Sequence, residues 1–124
     1  MSVTLGPINE RTTAKYTSDP LLDEDGVTVA GSVLSSATLT LYDEKTKTIL
    51  NSRNAQNVNQ ANDVTISEAG VVAWLLRPAD NAIINDRLPS EVHVAVFDFR
   101  WDSGTSRAVH EVKFIVKNVG MVTS

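Results

Sequence analysis

Apolar and polar residues alternate along most of residues 91–119, whose sequence is EVHVAVFDFRWDSGTSRAVHEVKFIVKNV. Alternation of this kind places every second side chain on the same face of a β-strand. The pattern is interrupted at Asp102–Thr105, where aspartate, serine and glycine favour a tight turn. The stretch therefore predicts two long antiparallel strands joined as a hairpin.

The loop length decides which residues of the two predicted strands face each other. A two-residue loop at Ser103-Gly104 sets Asp102 opposite Thr105. On one face the resulting pairs are Phe99 with Ala108, Phe97 with His110, Ala95 with Val112 and His93 with Phe114. The other face has Val92, Val94, Val96 and Asp98 opposite Ile115, Lys113, Glu111 and Val109. We expect the phenylalanine face to lie inside the domain, because a slip of one residue would set it against charged side chains. A three-residue loop with a glycine bulge is the alternative, because Ser-Gly is a weaker turn signal than Asn-Gly.

Shorter alternating stretches precede the hairpin. The strands predicted from them are residues 12–17, 27–30, 37–42, 48–50, 64–66 and 71–76. Trp74 lies in the last of these and is interpreted as a core anchor. With the hairpin, the chain has about seven to nine short strands separated by turns, which is typical of an antiparallel β-sandwich. The predicted fold class is therefore all-β.

Two stretches depart from the alternation. Residues 51–62, NSRNAQNVNQAN, are dense in asparagine and glutamine, which favours Asx turns or one helical turn in which Ala55, Val58 and Ala61 are evenly spaced. Residues 78–85 resemble one helical turn with Pro78 near its start.

The N-terminal segment is predicted to be an extended arm, because Gly6-Pro7 interrupts any regular element. We expect residues 1–12 to form this arm and residues 13–124 to form one β-sandwich domain. Such an arm can add a strand to the sheet of a neighbouring subunit.

Composition excludes several classes of function. The chain has 124 residues, no cysteine and a net charge of −4. Disulfides and thiolate chemistry are therefore excluded, and a broad phosphate-binding surface for nucleic acid is disfavoured. The first residues lack the apolar run of a secretory signal, and no stretch approaches the length of a membrane span. We therefore expect neither nucleic acid nor membrane as a partner.

The chain has two histidines, His93 and His110, which are the first candidates for a metal site. In the predicted register they share a face but lie about 13 Å apart, too far for one ion to bridge. Asp23–Gly26 resembles part of a calcium loop but lacks the third aspartate and the distal glutamate, so a solvated turn is expected. No serine has a Gly-x-Ser-x-Gly frame, and no glycine-rich phosphate loop is present. The sequence therefore predicts no catalytic residue, no metal site, no cofactor and no enzyme.

The valine-rich face of the hairpin is too apolar to lie wholly in water. Either the arm or another subunit covers it, or both faces are partly buried within one sandwich. The candidate interface residues are Val3, Leu5, Ile8, Val92, Val94, Val96, Ile115 and Trp101.

Two parts of the chain carry a family resemblance. Residues 21–50, LLDEDGVTVAGSVLSSATLTLYDEKTKTIL, resemble the opening of immunoglobulin-like domains in virion proteins of tailed phages, such as baseplate upper proteins. The segments GVVAWLLRPADNAI, SEVHVAVFDFRWDSG and RAVHEVKFIVKNV are similar to small phage structural proteins in the order of tryptophan strand, Pro-Ala-Asp turn and final hairpin. The resemblance spans about residues 20–119 and implies an immunoglobulin-like sandwich in a virion. It implies no functional residue.

From this resemblance we expect a phage virion structural protein, made in the host cytoplasm and assembled into the particle. Its first expected role is capsid decoration through the arm, loops and a sheet face, and the alternative is a tail, baseplate or head–tail accessory. The expected partners are a major capsid or tail protein and further copies of the chain in a homo-oligomer. A glycan-binding module is the alternative from another class, with amides at Asn54, Gln56, Asn57 and Asn59 and Trp101 as an aromatic platform.

Overall fold

The protein folds into two β-sheets, as seen in a computed structural model that describes residues 2–119, with the backbone alone for Ser2. The strands are β1 Ser2–Asn9, β2 Ala14–Thr17, β3 Leu34–Asp43, β4 Gln56–Asn57, β5 Val64–Ile66, β6 Val72–Leu76, β7 Ser90–Trp101 and β8 Ser106–Lys117. Two 3-10 helices, Gly31–Val33 and Pro78–Asn81, interrupt the series. The prediction of an all-β sandwich is confirmed.

The two sheets have different sizes. The larger has the order β1-β8-β7-β3-β4 and the smaller the order β2-β6-β5. β1 and β8 run parallel, whereas the other paired strands are antiparallel. The core lies between the sheets, where the Trp74 ring of β6 meets Phe97 and Phe114 edge to face at centroid distances of 5.6 and 6.2 Å. Trp74 is fully buried and is the predicted core anchor.

The β7–β8 hairpin has the predicted register. Phe97 lies opposite His110 and Phe99 opposite Ala108, and both phenylalanines are buried. The ladder ends at Trp101 and Ser106, and across the predicted loop Ser103-Gly104 the Thr105 N–H donates to the Asp102 carbonyl at 3.1 Å, as a two-residue loop requires. Three successive turn residues, Asp102, Ser103 and Gly104, have positive φ angles of 53°, 57° and 88°. Aspartate and glycine tolerate this conformation, so the turn closes in the predicted register.

The N-terminal residues form a strand of the sandwich and not a separate arm. β1 pairs with β8, and Val3, Leu5 and Ile8 pack half-buried against the chain's own core. Gly6-Pro7 does not end the element, because the register shift between Leu5 and Ile8 is a bulge that returns Ile8 to the inner side. The boundary expected after residue 12 is therefore corrected, and these three candidate interface residues face their own domain.

The remaining predictions have mixed outcomes. The 3-10 helix at Pro78–Asn81 has proline in its first turn, as the sequence indicates. Residues 51–62 form β4 and turns. The alternative of a helical turn is excluded by the positive φ angles of Ala55 and Gln60. The predicted strands at 27–30 and 48–50 are reduced to the single bridges Leu22–Thr28 and Tyr42–Ile49.

A pair of variants on β1 tests whether this strand belongs to the fold. Leu5→Asp places a charge against the core and is expected to lower the free energy of unfolding by about 2 kcal/mol or more. Thr4→Asp is the matched control, because Thr4 is exposed on the same strand and its cost is expected within about 0.5 kcal/mol. Urea unfolding followed by tryptophan fluorescence measures both, and equal losses would contradict the pairing of β1 with β8.

Candidate functional site

The buried side chain of Arg53 organises the loops at one end of the sandwich. It is only 2% exposed, and its guanidinium carbon lies 5.9 Å from the centre of the Trp74 ring. Its five N–H bonds are all donated, to acceptors on Asp80 (Nε at 2.6 Å and Nη2 at 3.1 Å), Gln56 (2.8 Å), the Asn62 carbonyl (3.0 Å) and Asp63 (3.2 Å). A guanidinium has five such donors, so this burial leaves none unsatisfied.

Asp80 is the main counter-ion of Arg53 and is fully buried. Besides the two bonds from Arg53, its carboxylate accepts hydrogen bonds from the Asn51 amide at 2.9 Å and from the Arg77 backbone N–H at 2.8 Å. Two separate loops are thereby tied together. This network was not predicted, since an arginine in a polar loop normally indicates a solvated surface.

Three of the four side chains proposed for glycan binding form hydrogen bonds within the protein, and the fourth, Asn54, is exposed. Asn57 Oδ1 accepts from the Asn59 N–H, Asn59 Nδ2 donates to the Leu34 carbonyl, and Gln56 accepts from Arg53. The other proposed group, Trp101, is 8% exposed and belongs to the hydrophobic core. It therefore offers no aromatic platform, which corrects its place among the candidate interface residues as well.

His110 forms a buried pair with Tyr16 across the two sheets. The Tyr16 hydroxyl hydrogen-bonds to His110 Nε2, and the two rings stack with centroids 5.8 Å apart. Burial lowers the pKa of His110 below its ordinary value of 6.5. Burial, assisted by the negative charge of Asp19, raises the pKa of Tyr16 to about 12. At neutral pH the pair is therefore uncharged, as a structural core contact requires.

His93 lies in a different cluster, at the opposite end of β7 from the hairpin turn. Its Nε2 is 2.9 Å from Glu91 Oε1, and Asp43 of β3 is its cross-strand neighbour. All three side chains are buried, and they offer possible ligand atoms within 4.8 Å of one another. The two histidines thus have separate partners. Glu91 and His93 share a strand face by their spacing, but the contribution of Asp43 depends on the β3–β7 register.

The acidic turn Asp23–Gly26 has the geometry of an Asx turn. Asp23 Oδ1 accepts hydrogen bonds from the backbone N–H groups of Asp25 (2.9 Å) and Val27 (3.0 Å), and Gly26 has a φ of 77°. The carboxylate thus satisfies its own turn, as expected for this sequence.

The outward face of the larger sheet contains the remaining candidate interface residues. Ile115 is 38% exposed, and Val92, its partner across the ladder, and Val96 are half-buried. Val94 is buried between its ladder partners Tyr42 of β3 and Lys113 of β8. Its prediction as an interface residue is therefore corrected. A shallow cleft continues the apolar surface beyond Ile115, and among the residues lining it are Pro7, Pro89 and Val119.

Comparison with protein-family models gave no match for this chain, and neither curated proteins nor solved structures gave a significant one. Among residues 2–119, no helix has the length and apolar character needed to cross a bilayer.

Removal of the Arg53 counter-ion tests the buried network. Asp80→Asn leaves the buried guanidinium with only the partly exposed Asp63 as a charged partner and is expected to lower the free energy of unfolding by about 3–5 kcal/mol. Asp86→Asn is the control, because Asp86 is exposed and its side chain belongs to none of these bonds. Chemical denaturation compares the two, and a similar small loss in both would refute the role given to Asp80.

The dependence of the free energy of unfolding on pH below neutrality tests the lowered pKa of His110. Because its folded pKa is lowered, the unfolded chain takes up the proton first, and stability is expected to fall as the pH drops below about 6.5. His110→Phe removes this proton uptake, so its free energy of unfolding should decline less than that of the wild type between pH 7 and pH 5. Urea titrations at several pH values measure the difference, and parallel profiles would exclude the assignment.

Proposed function

We propose that this chain is a structural protein of a tailed-phage virion, that its sandwich is immunoglobulin-like, and that it decorates the capsid. The family resemblance of residues 20–119 supports the assignment to a phage virion. The observation that carries a binding role is the apolar outward face of the larger sheet, centred on Ile115.

The strand order supports an immunoglobulin-like topology. With β2–β8 lettered B, C, C′, D, E, F and G, the smaller sheet has the order B-E-D and the larger sheet contains G-F-C-C′. Immunoglobulin-like sandwiches divide B, E and D from C, F and G in the same way. β1 lies beside G in parallel, at the edge of the larger sheet.

The outward face combines apolar area with charged groups that are already paired. Ile115 and Val109 are 38% and 39% exposed on β8. Around them Asp98 forms ion pairs with Arg107 at 3.1 Å and Arg100 at 3.4 Å, and Lys113 pairs with Glu44 at 2.9 Å. A partner that covers this face gains apolar burial while the ion pairs form the polar rim that interfaces usually have.

Many copies on a regular lattice make a modest contact sufficient. Each contact needs only a small patch when several sites of one particle bind together, because linked binding events raise the effective concentration. Assembly is therefore the proposed mechanism, with a major capsid protein and neighbouring copies of this chain as partners. A tail, baseplate or head–tail position uses the same surface and differs in location.

The test uses virions made from the phage genome that encodes this chain. Wild-type protein is expected in gradient-purified particles at many copies, and Ile115→Glu is expected to reduce the incorporated copies about tenfold, the effect of losing about 1.4 kcal/mol. Quantitative mass spectrometry of the particles measures the copy number, and electron cryomicroscopy locates the density on the head or the tail.

Thr65→Glu is the matched control, because Thr65 is exposed on β5 of the other sheet and receives the same new charge. It should be incorporated at the wild-type level. Absence of the wild-type chain from purified particles would refute the virion proposal, and equal incorporation of both variants would refute the binding face.

A further inference from the structure

The cluster of Asp43, Glu91 and His93 has an excess of buried negative charge. The two carboxylates and the imidazole are 3%, 7% and 0% exposed. Within residues 2–119, the ion pairs of Asp43 and Glu91 include no lysine or arginine, and His93 is the basic partner of Glu91. Even with a protonated imidazole, one negative charge remains uncompensated, and burial of such a charge is costly.

The nitrogen of His93 that faces Glu91 is Nε2. The other ring nitrogen, Nδ1, is buried without a hydrogen-bond partner among the described residues. A buried polar atom of this kind costs free energy unless another group satisfies it. An ion shared with Glu91 would bind at Nε2, on the Glu91 side of the ring, and not at Nδ1.

Hydrogen bonds from neighbouring backbone and hydroxyl groups hold the two carboxylates in place. Glu91 accepts hydrogen bonds from the Ile84 N–H (2.9 Å) and the Asn85 N–H (2.6 Å), and Asp43 Oδ2 accepts from the Thr46 N–H (2.9 Å) and hydroxyl (2.8 Å). These bonds orient the two groups in the manner of the outer partners that surround metal ligands. Carboxylate oxygens have further lone pairs, so they can still bind an ion.

An entry path leads to the cluster. A cleft of about 440 Å³ has Asp43 and Glu91 in its wall, together with polar residues such as Asn85 and Ser90. His93 lies behind the carboxylates, fully buried. An ion arriving from solvent would meet the two oxygens first and the nitrogen last, and water in the cleft would supply the remaining ligand.

We propose that Asp43, Glu91 and His93 bind a divalent transition-metal ion, with Zn²⁺ preferred. A donor set of two oxygens and one imidazole nitrogen with an open position is one that Zn²⁺ accepts. Ligands at about 2.0–2.2 Å from a tetrahedral ion lie about 3.4 Å apart, so the observed spread of at most 4.8 Å must close by no more than about 1.4 Å. Small rotations of the two carboxylate side chains suffice. The ion would neutralise the excess charge and fasten β3 to β7.

The experiment uses tag-free wild-type protein treated with a chelator, dialysed and titrated with Zn²⁺ by calorimetry. We expect one ion per chain and a rise in the melting temperature on saturation, because a ligand of the folded state stabilises it. His93→Gln and Asp43→Asn are each expected to weaken binding about tenfold or more. Co²⁺ serves as a second probe, since its visible absorption reports a nitrogen and oxygen ligand set directly.

His110→Gln is the matched control, because His110 is also buried but lies in the Tyr16 pair. It should bind Zn²⁺ as the wild type does. Asp43→Asn keeps the test decisive if His93→Gln misfolds, because asparagine preserves the volume and can still accept a hydrogen bond from Thr46. Circular dichroism verifies the folds of both variants. Failure of the wild type to bind Zn²⁺ or Co²⁺, or wild-type affinity in folded His93→Gln, would overturn the proposal and leave the virion role untouched.

Discussion

The buried guanidinium of Arg53 is the group on which the structure of residues 51–63 and of the Pro78–Asn81 helix depends. A guanidinium taken out of water is tolerable only when each of its donors has an acceptor, and here those acceptors come from loop 51–63 and from the start of the Pro78–Asn81 helix. The asparagine-rich loop is consequently ordered by the buried side chain of Arg53, which is one of its own residues. Its many positive φ angles, as at Asn51 and Ser52, are stabilised by this network and not by a repeating hydrogen-bond pattern.

Among residues 2–119, the buried ionisable side chains form three groups with different chemistry. The Arg53–Asp80 pair is a satisfied ion pair, the Tyr16–His110 pair is uncharged at neutral pH, and the Asp43–Glu91–His93 cluster has more negative than positive charge. Between them lies an aromatic core built on Trp74. His110 and His93 each have a buried Nδ1 without a hydrogen-bond partner among the described residues, so the contrast between the groups is one of charge, and the excess negative charge of the third group is what suggests an external ion.

The sequence predicted the fold class and the hairpin register because both depend on local alternation with a strong contrast between the two faces. Phe97 and Phe99 could be assigned to the interior without knowledge of any other strand. The left-handed conformation of Asp102, beside Ser103 and Gly104, was not predicted, because composition does not decide it.

Contacts between segments far apart in the chain could not be predicted from the pattern of apolar and polar residues. The parallel pairing of β1 with β8 sets the first and last strands side by side, and the Gly6-Pro7 break conceals that Ile8 returns to the inner face. Asp80 and Asp43 acquire their roles only through neighbours far along the chain. Trp101 is expected from the sequence to form an exposed aromatic platform, but the pairing of β7 with β3 sets it beside Leu34 and covers it.

The edges of the two sheets have a consequence for the protein in concentrated solution. On the larger sheet one edge is the bulged β1, whose Pro7 has no N–H to donate, and the other is β4, only two residues long. In the smaller sheet the edge strands have four and three residues. Short and irregular edges offer a poor template for the stacking of foreign strands into amyloid. Crowded copies should therefore meet through side chains, reversibly, and stay clear of fibrous aggregates.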